Sequence, residues 1–317
     1  MTRIAITGGT GFVGRHLAAR LEAAGHEVVV VSRRTGYPIA AGAIDRQTAD
    51  VALALAFAGC EAVVHCAGIN RELGDQTYQA VHVDGTAAVI RAAKAAGVKR
   101  LVMLSFLRAR ADGPTAYHRS KWAAEELIRG SGLTWTIFKA GVIYGRGDHM
   151  LDHLSHAFYT FPLFGLVGLK ERPVRPVAVD DVARLLESAA LGDTRLADRT
   201  IAVLGPDEMG LGAAVRRVAN VTGRRPLFIR LPIVAQLAIA RAAEWTMRIP
   251  LVSRAQVRIL AEGVVEPLPF ADWPPADLVP KTPFSDEVIA QGLPQQGGFA
   301  LRDLRCAVSN VDAGPPG

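Results

Sequence analysis

The sequence predicts an α/β protein: a doubly wound parallel sheet with helices on both faces, followed by a smaller C-terminal α+β region. Three observations carry this. Short β-branched runs alternate with helix-period runs from residue 1 to about 145. A glycine-rich turn, Gly8-Gly9-Thr10-Gly11-Phe12-Val13-Gly14, joins the first strand to the first helix. After Gly147 the alternation weakens, and from Val264 on prolines crowd the chain.

Arg3 to Thr7 is apolar and β-branched and reads as a buried strand. Val13, Leu17, Leu21 and Ala24 then recur at helical spacing. In the G-x-x-G-x-x-G turn between them, Gly8 allows the tight turn, Gly11 a close approach of backbone to a pyrophosphate, and Gly14 close packing of helix on strand. With Thr10, Phe12 and Val13 these glycines present backbone N–H groups at a helix start, where the positive dipole end favours phosphate. A dinucleotide site is expected there.

Glu27 to Val31 is a second strand, ending in Ser32-Arg33-Arg34. A carboxylate at this place would bind a ribose 2′-hydroxyl, and there is none. Arg33 and Arg34 suit a 2′-phosphate, so NADP is favoured over NAD. Gly42 to Asp50 reads as loop, with Asp45 and Asp50 as alternative contacts to an adenine, and Val51 to Ala58 as a short helix. The strand Ala62–Cys66 turns at Ala67-Gly68, beside the expected cofactor. His65 reads as packed in that strand.

His82 to Ala96 is a predicted helix closed by Gly97, and Arg100 to Ser105 a strand with Ser105 at its ligand end. Thr115 to Arg129 is helical, and Tyr117 and Lys121, four apart, share a face. A cation beside a phenol draws its pKa from about 10 toward neutrality. Ser105, Tyr117 and Lys121 are therefore the candidate catalytic set: Ser105 to polarise a carbonyl, Tyr117 to exchange a proton, Lys121 to tune Tyr117 and hold a ribose. Thr134 to Lys139 closes the regular pattern as a strand.

Beyond it, helices are expected over His149–Phe158, from an Asp180 cap onward, over Leu211–Thr222, Ile233–Met247 and Ser253–Glu262. Strands are expected near Arg175–Val179, Thr200–Leu204 and Leu227–Leu231. The domain reading is 1–147 for the nucleotide domain, 148–300 for a substrate or lid region partly integrated with the sheet, and 301–317 for a disordered tail.

Composition narrows the classes. Aromatic residues are 6%, too few for a single-strand nucleic-acid stacking surface. The net charge of +6 is spread among 30 acids, so no nucleic-acid partner is expected. Cys60, Cys66 and Cys306 have no metal-ligand spacing, and their odd number together with the absence of a leader points to a reducing cytoplasm. No transmembrane run exists. Leu227 to Ala243 comes nearest, but Arg230, Pro232 and Arg241 interrupt it; a packed helix is favoured over one lying on a membrane surface or under a partner.

Thr7 to Gly14, Val81-His82-Val83-Asp84-Gly85-Thr86 and Tyr117-His118-Arg119-Ser120-Lys121 resemble the short-chain dehydrogenase/reductase superfamily. Gly97 to Val102 and Pro176 to Ala183 resemble its extended, epimerase/dehydratase-like branch. Within it, residues 1 to 265 are similar to bacterial relatives of the NADPH-binding accessory subunit of respiratory complex I. The resemblance implies a Rossmann fold, pyrophosphate binding by Gly8, Gly11 and Gly14, Arg33 at the adenosine phosphate, Ala67-Gly68 at the middle of the cofactor, and Ser105, Tyr117 and Lys121 as catalytic serine, tyrosine and lysine. His82 replaces an asparagine of the family's proton relay, and Lys139-Ala140 replaces an Arg-Pro pair beside the nicotinamide. Three functions follow as alternatives: an NADP-dependent oxidoreductase acting on a small-molecule carbonyl, alcohol or sugar-like substrate, a structural or regulatory protein with NADPH as a stabilising ligand, and a nucleotide-sugar epimerase or dehydratase; a peripheral-membrane or respiratory-complex association is compatible with the resemblance. The epimerase or dehydratase would use an arginine pair such as Arg172 and Arg175.

Overall fold

The computed structural model describes residues 1–36, 46–246 and 254–299, apart from Val264, Glu266, Leu268 and Pro269. Asp45, Cys306 and the 301–317 tail lie outside the described residues. In chain order the elements are β1 (Arg3–Thr7), α1 (Phe12–Ala23), β2 (Glu27–Val31), α2 (Arg46–Phe57), β3 (Ala62–His65), α3 (Gly85–Ala95), β4 (Arg100–Phe106), α4 (Ala116–Arg129), β5 (Thr134–Ala140) and β6 (Ile143–Tyr144). Then come α5 (His149–Thr160), β7 (Leu163–Val167), β8 (Pro173–Val174), β9 (Val177–Ala178), α6 (Val179–Ala190), β10 (Arg199–Val203), β11 (Met209–Gly210), α7 (Leu211–Val221), β12 (Leu227–Leu231), α8 (Ile233–Thr246), α9 (Arg254–Glu262) and α10 (Asp286–Gly292).

Six strands form one sheet in the order β10-β5-β4-β3-β1-β2, every pair parallel. Period-two alternation explains why both faces are covered. Ile4 and Ile6 of β1 point into a core with Leu17 and Leu21 of α1 and Leu185 and Leu186 of α6. Ala5 between them points the other way, into a core with Phe57 of α2, Val89 of α3 and Ile128 of α4. The order reverses between β1 and β3, which opens a crevice at the carboxyl ends of the strands.

Two compact units divide the chain, and each is discontinuous. One is Met1–Ile143 with Arg175–Asp207 and Val265–Pro283; the other is Tyr144–Val174, Glu208–Val264 and Phe284–Gly317. Residues 175–207 supply α6 and the edge strand β10 to the first unit. In the second unit β7 pairs in parallel with β12, β8 pairs antiparallel with β11, and Phe158, Phe164 and Phe228 pack ring against ring.

Several local readings are corrected. The second helix starts at Arg46, not Val51. Asp180 does not cap α6: the helix begins at Val179 with Ala178 as N-cap, and Asp180 stands in the first turn, where a carboxylate still suits the helix dipole. The helix expected from His82 is two pieces. A wide π-type turn, Gln79–Asp84, precedes α3 and carries His82 inward. Helix α10 was hidden by the surrounding prolines, yet Ser285 caps it by accepting from Val288 N, and Asp286 and Glu287 fill its first turn.

Candidate functional site

Everything chemical in the first unit gathers at the carboxyl edge of β2, β1, β3 and β4. The turn after β1 is built to leave amides exposed. Gly8 N donates to Val31 O and Gly11 N to Gly8 O, both at 2.8 Å, which fixes the loop on the end of β2. Gly11 is the N-cap of α1 and has no side chain to satisfy the amides of the first turn. Two glycines are required sterically. Gly8 has φ +71°, and a Cβ there would lie 2.7 Å from Ala67 N. At Gly14 a Cβ would lie 2.3 Å from Gly8 O. A Cβ at either position would collide with backbone, so the turn stays tight, and its first-turn amides without a side-chain cap fit a pyrophosphate at the amino end of α1.

Arg33 and Arg34 follow β2 in a single 3-10 turn, Arg33–Thr35. A reciprocal capping box pins that turn: Thr35 N donates to Ser32 Oγ, and Ser32 N to Thr35 Oγ1 at 2.9 Å. Ser32 is buried and both arginines are exposed.

Tyr117 and Lys121 share the inner face of α4, as the spacing predicts, and both are buried. Lys121 Nζ comes close to Gly68: a Cβ on that glycine would be 3.0 Å from it. It also approaches Leu104 O at 3.4 Å. Burial lowers the Lys121 pKa to about 8, against the opposing pull of Glu125. Tyr117 lies among the rings of Phe106, Tyr78 and His82, at centroid distances of 5.4, 5.7 and 5.7 Å. The expectation of a phenol drawn toward neutrality is corrected here. Desolvation dominates, Tyr78 adds to it, and the Tyr117 pKa is raised. Tyr117 is thus a neutral hydroxyl at ordinary pH.

Ser105 is also corrected. It is the penultimate residue of β4, and its Oγ donates to Glu125 Oε1 at 2.5 Å inside the protein. Its register partner on β5 is Lys139, whose Nζ donates to both oxygens of Glu125, at 2.8 and 2.9 Å, and to Ala109 O at 2.8 Å. Cross-strand partners share one face of a sheet. Ser105 and Lys139 therefore both face α4, and Glu125 on that helix takes the serine hydroxyl away from the crevice. Arg129 adds a further bond to Glu125 at 3.0 Å.

Two buried histidines define the rest. Ile69 N donates to His82 Nε2 at 3.1 Å, so the proton sits on Nδ1, which donates to Ser120 Oγ at 2.9 Å; Ser120 in turn donates to Tyr117 O. Both ring nitrogens are used, and burial, with the Lys121 charge next in size, lowers the His82 pKa to about 2. His82 is a neutral tie between the Gly68-Ile69 loop and α4. His65 is likewise packed, between Thr7 and Thr86, with its pKa lowered by burial to about 3. Burial pushes the Cys66 thiol up to about 12, and no His, Cys, Asp and Glu group among the described residues could hold a metal.

Residues 8–151 match the family described as NAD(P)H-binding. This segment is similar to NAD(P)H-binding domains. The first relatives in sequence are uncharacterized mycobacterial proteins, including one from Mycobacterium tuberculosis that is 30% identical over 81% of this chain; the chain spans only 27% of that protein's length. A ceramide reductase of Caulobacter vibrioides is 28% identical, over 93% of this chain and 90% of the relative. The mouse mitochondrial NADH dehydrogenase 1 alpha subcomplex subunit 9 is 26% identical over 77% of this chain and 69% of that subunit, in line with the expected resemblance. In shape, a nucleoside-diphosphate-sugar epimerase of Pseudomonas aeruginosa superposes with a TM-score of 0.64 at 16% identity, covering 92% of this chain and 96% of that one. The first unit thus has a Rossmann-like fold.

Sequence reasoning passed over Glu125, Tyr78 and Ser120. Only Glu125 had a visible signal: Lys139 stands in an otherwise uncharged strand, and a buried lysine demands an anion.

Proposed function

We propose that this chain is an NADP(H)-dependent oxidoreductase that works as a carbonyl reductase, with Tyr117 as proton donor. The observation that carries the reading is the placement of Lys121 Nζ against Gly68 with Tyr117 one helical turn away on the same face. A bound nicotinamide coenzyme supplies the hydride. The amides of Phe12 to Gly14 hold its pyrophosphate, Arg33 and Arg34 hold a 2′-phosphate, and Lys121 holds the ribose beside Gly68. Tyr117, neutral because it is buried, gives its phenolic proton to the carbonyl oxygen of the substrate. Burial favours this direction: the protonated phenol is the abundant form. The ceramide reductase, which aligns over nine-tenths of both chains, supports a lipid-like carbonyl as substrate.

A second reading is a protein that binds NADPH without turnover, supported by the Ser105 hydroxyl being spent on Glu125. Two measurements separate the readings. NADPH oxidation is followed with a carbonyl panel that includes long-chain amide ketones, for wild type and Tyr117→Phe. Reduction by wild type that falls at least a hundredfold in Tyr117→Phe supports the reductase; NADPH-dependent thermal stabilisation with no turnover on any member sinks it.

A further inference from the structure

Helix α8 of the second unit is turned inside out for a helix in water. Gln236 and Ala240 are its buried residues, and Gln236 Nε2 donates to Gly165 O of β7 at 2.9 Å. On the opposite side, at spacings of four, eight and eleven, stand Val234, Ala238, Ala242 and Trp245, with Ile239 at the flank. Val234 and Trp245 are each 79% exposed. An outward helix face in water is normally polar, and a contiguous apolar strip marks a contact surface. Arg241 lies on the same outward side, and Arg258 on α9 is exposed as well.

Charge selects the partner. Residues 208–264 hold nine arginines against three glutamates, an excess as large as the net +6 of the whole chain. This strip is thus an apolar helix face with an exposed tryptophan in a segment of net positive charge, with Arg241 and Arg258 exposed beside it. That combination fits the headgroup boundary of an anionic bilayer. Tryptophan sits well at that depth, arginines meet lipid phosphates, and a helix of 14 residues lies along the surface instead of crossing it. No helix among the described residues is long and apolar enough to span a membrane.

We infer that the outward face of α8 docks this protein onto anionic membrane surfaces, with Val234, Ile239 and Trp245 entering the headgroup region. Docking of this kind would let a lipid-like substrate be met at the bilayer, but the inference does not need the reductase reading.

The test is co-sedimentation of the full chain with phosphatidylcholine vesicles and with vesicles containing about a third phosphatidylglycerol. Trp245 burial is read by quenching from brominated lipid, with Trp245→Phe as reference. Wild type is expected to bind the anionic vesicles, to release with added salt, and to lose quenching in Trp245→Phe. Val234→Glu/Trp245→Glu is expected to bind at least tenfold more weakly while keeping its NADPH-dependent thermal shift, which shows that the fold and the cofactor site are intact. Wild type that ignores anionic vesicles, or a double variant that binds as wild type does, overturns the inference. So does a wild-type dimer that the double variant dissociates in light scattering, since the face would then belong to a second copy.

Discussion

Lys139 and Glu125 form an ion pair in which neither side chain is exposed, and the carboxylate binds the lysine through both of its oxygens. Burial lowers the Lys139 pKa while Glu125 opposes the shift, so the pair holds a charge that water would otherwise solvate. Removing one partner strands the other. Lys139→Met or Glu125→Gln is expected to lower unfolding free energy by about 3–5 kcal/mol, whereas Glu125→Gln/Lys139→Met recovers part of it. Urea denaturation of the four proteins measures the cycle.

Gly14→Ala puts a methyl against Gly8 O, a backbone atom that cannot swing aside. We expect destabilisation of about 1–3 kcal/mol and at least a tenfold loss of NADPH affinity. Calorimetry with NADPH reads both the heat and the stoichiometry; an unchanged affinity would remove the pyrophosphate assignment.

Arg33→Ala/Arg34→Ala leaves the Ser32–Thr35 capping box in place and removes the charge beyond it. A charge-assisted hydrogen bond contributes about 1.5–3 kcal/mol. The double variant should therefore bind NADPH about ten- to a hundredfold more weakly, with little change for NADH. Titration with both coenzymes tests the preference for the 2′-phosphate.

The lysine beside Gly68 gives two opposite pH trends. Its pKa is about 8 in the fold against an ordinary 10.5, so the native state sheds this proton first. The unfolded chain then holds more protons, and the stability of the coenzyme-free protein rises from about pH 8 toward pH 10.5. NADPH affinity is expected to fall over the same interval, because the ammonium is its proposed partner. Lys121→Met is expected to flatten both curves, read by denaturation and by binding from pH 7 to 10.

His65 and His82 act at the acid end. Both are neutral in the fold, with pKa values of about 3 and about 2 against 6.5. The unfolded chain takes up their two protons as pH falls below 6.5, so their contribution is present above that pH and lost below it. The limiting slope is about 2.7 kcal/mol per pH unit. His82→Asn should halve it in denaturation experiments between pH 6.5 and pH 4.5.

The nucleotide half was legible in the sequence because local signals agree there: apolar strands of period two, helices of period 3.6, and glycines where backbone approaches backbone. Tyr117 and Lys121 were legible because a helix fixes the geometry of residues four apart. Ser105 was misread because its role depends on a partner on another strand. The register of β4 against β5 sets Ser105 beside Lys139, and only that neighbour explains why its hydroxyl turns to Glu125. The phenol of Tyr117 was misread for a similar reason. Lys121 is close in sequence, but the rings of Tyr78, His82 and Phe106, brought in from other elements, set the dielectric. Beyond residue 147, pattern alone could not show that β10 returns to the edge of the first sheet.

The return of β10 has a consequence for synthesis on the ribosome. When residue 147 has been made, β5 is still an open sheet edge and one face of β1 still lacks α6. Both arrive with residues 175–207. Asp181 in α6 then accepts from the backbone of Lys281 and Thr282, about a hundred residues later. The coenzyme half is translated first but completed nearly last, so the nascent chain carries an unfinished sheet through most of its elongation.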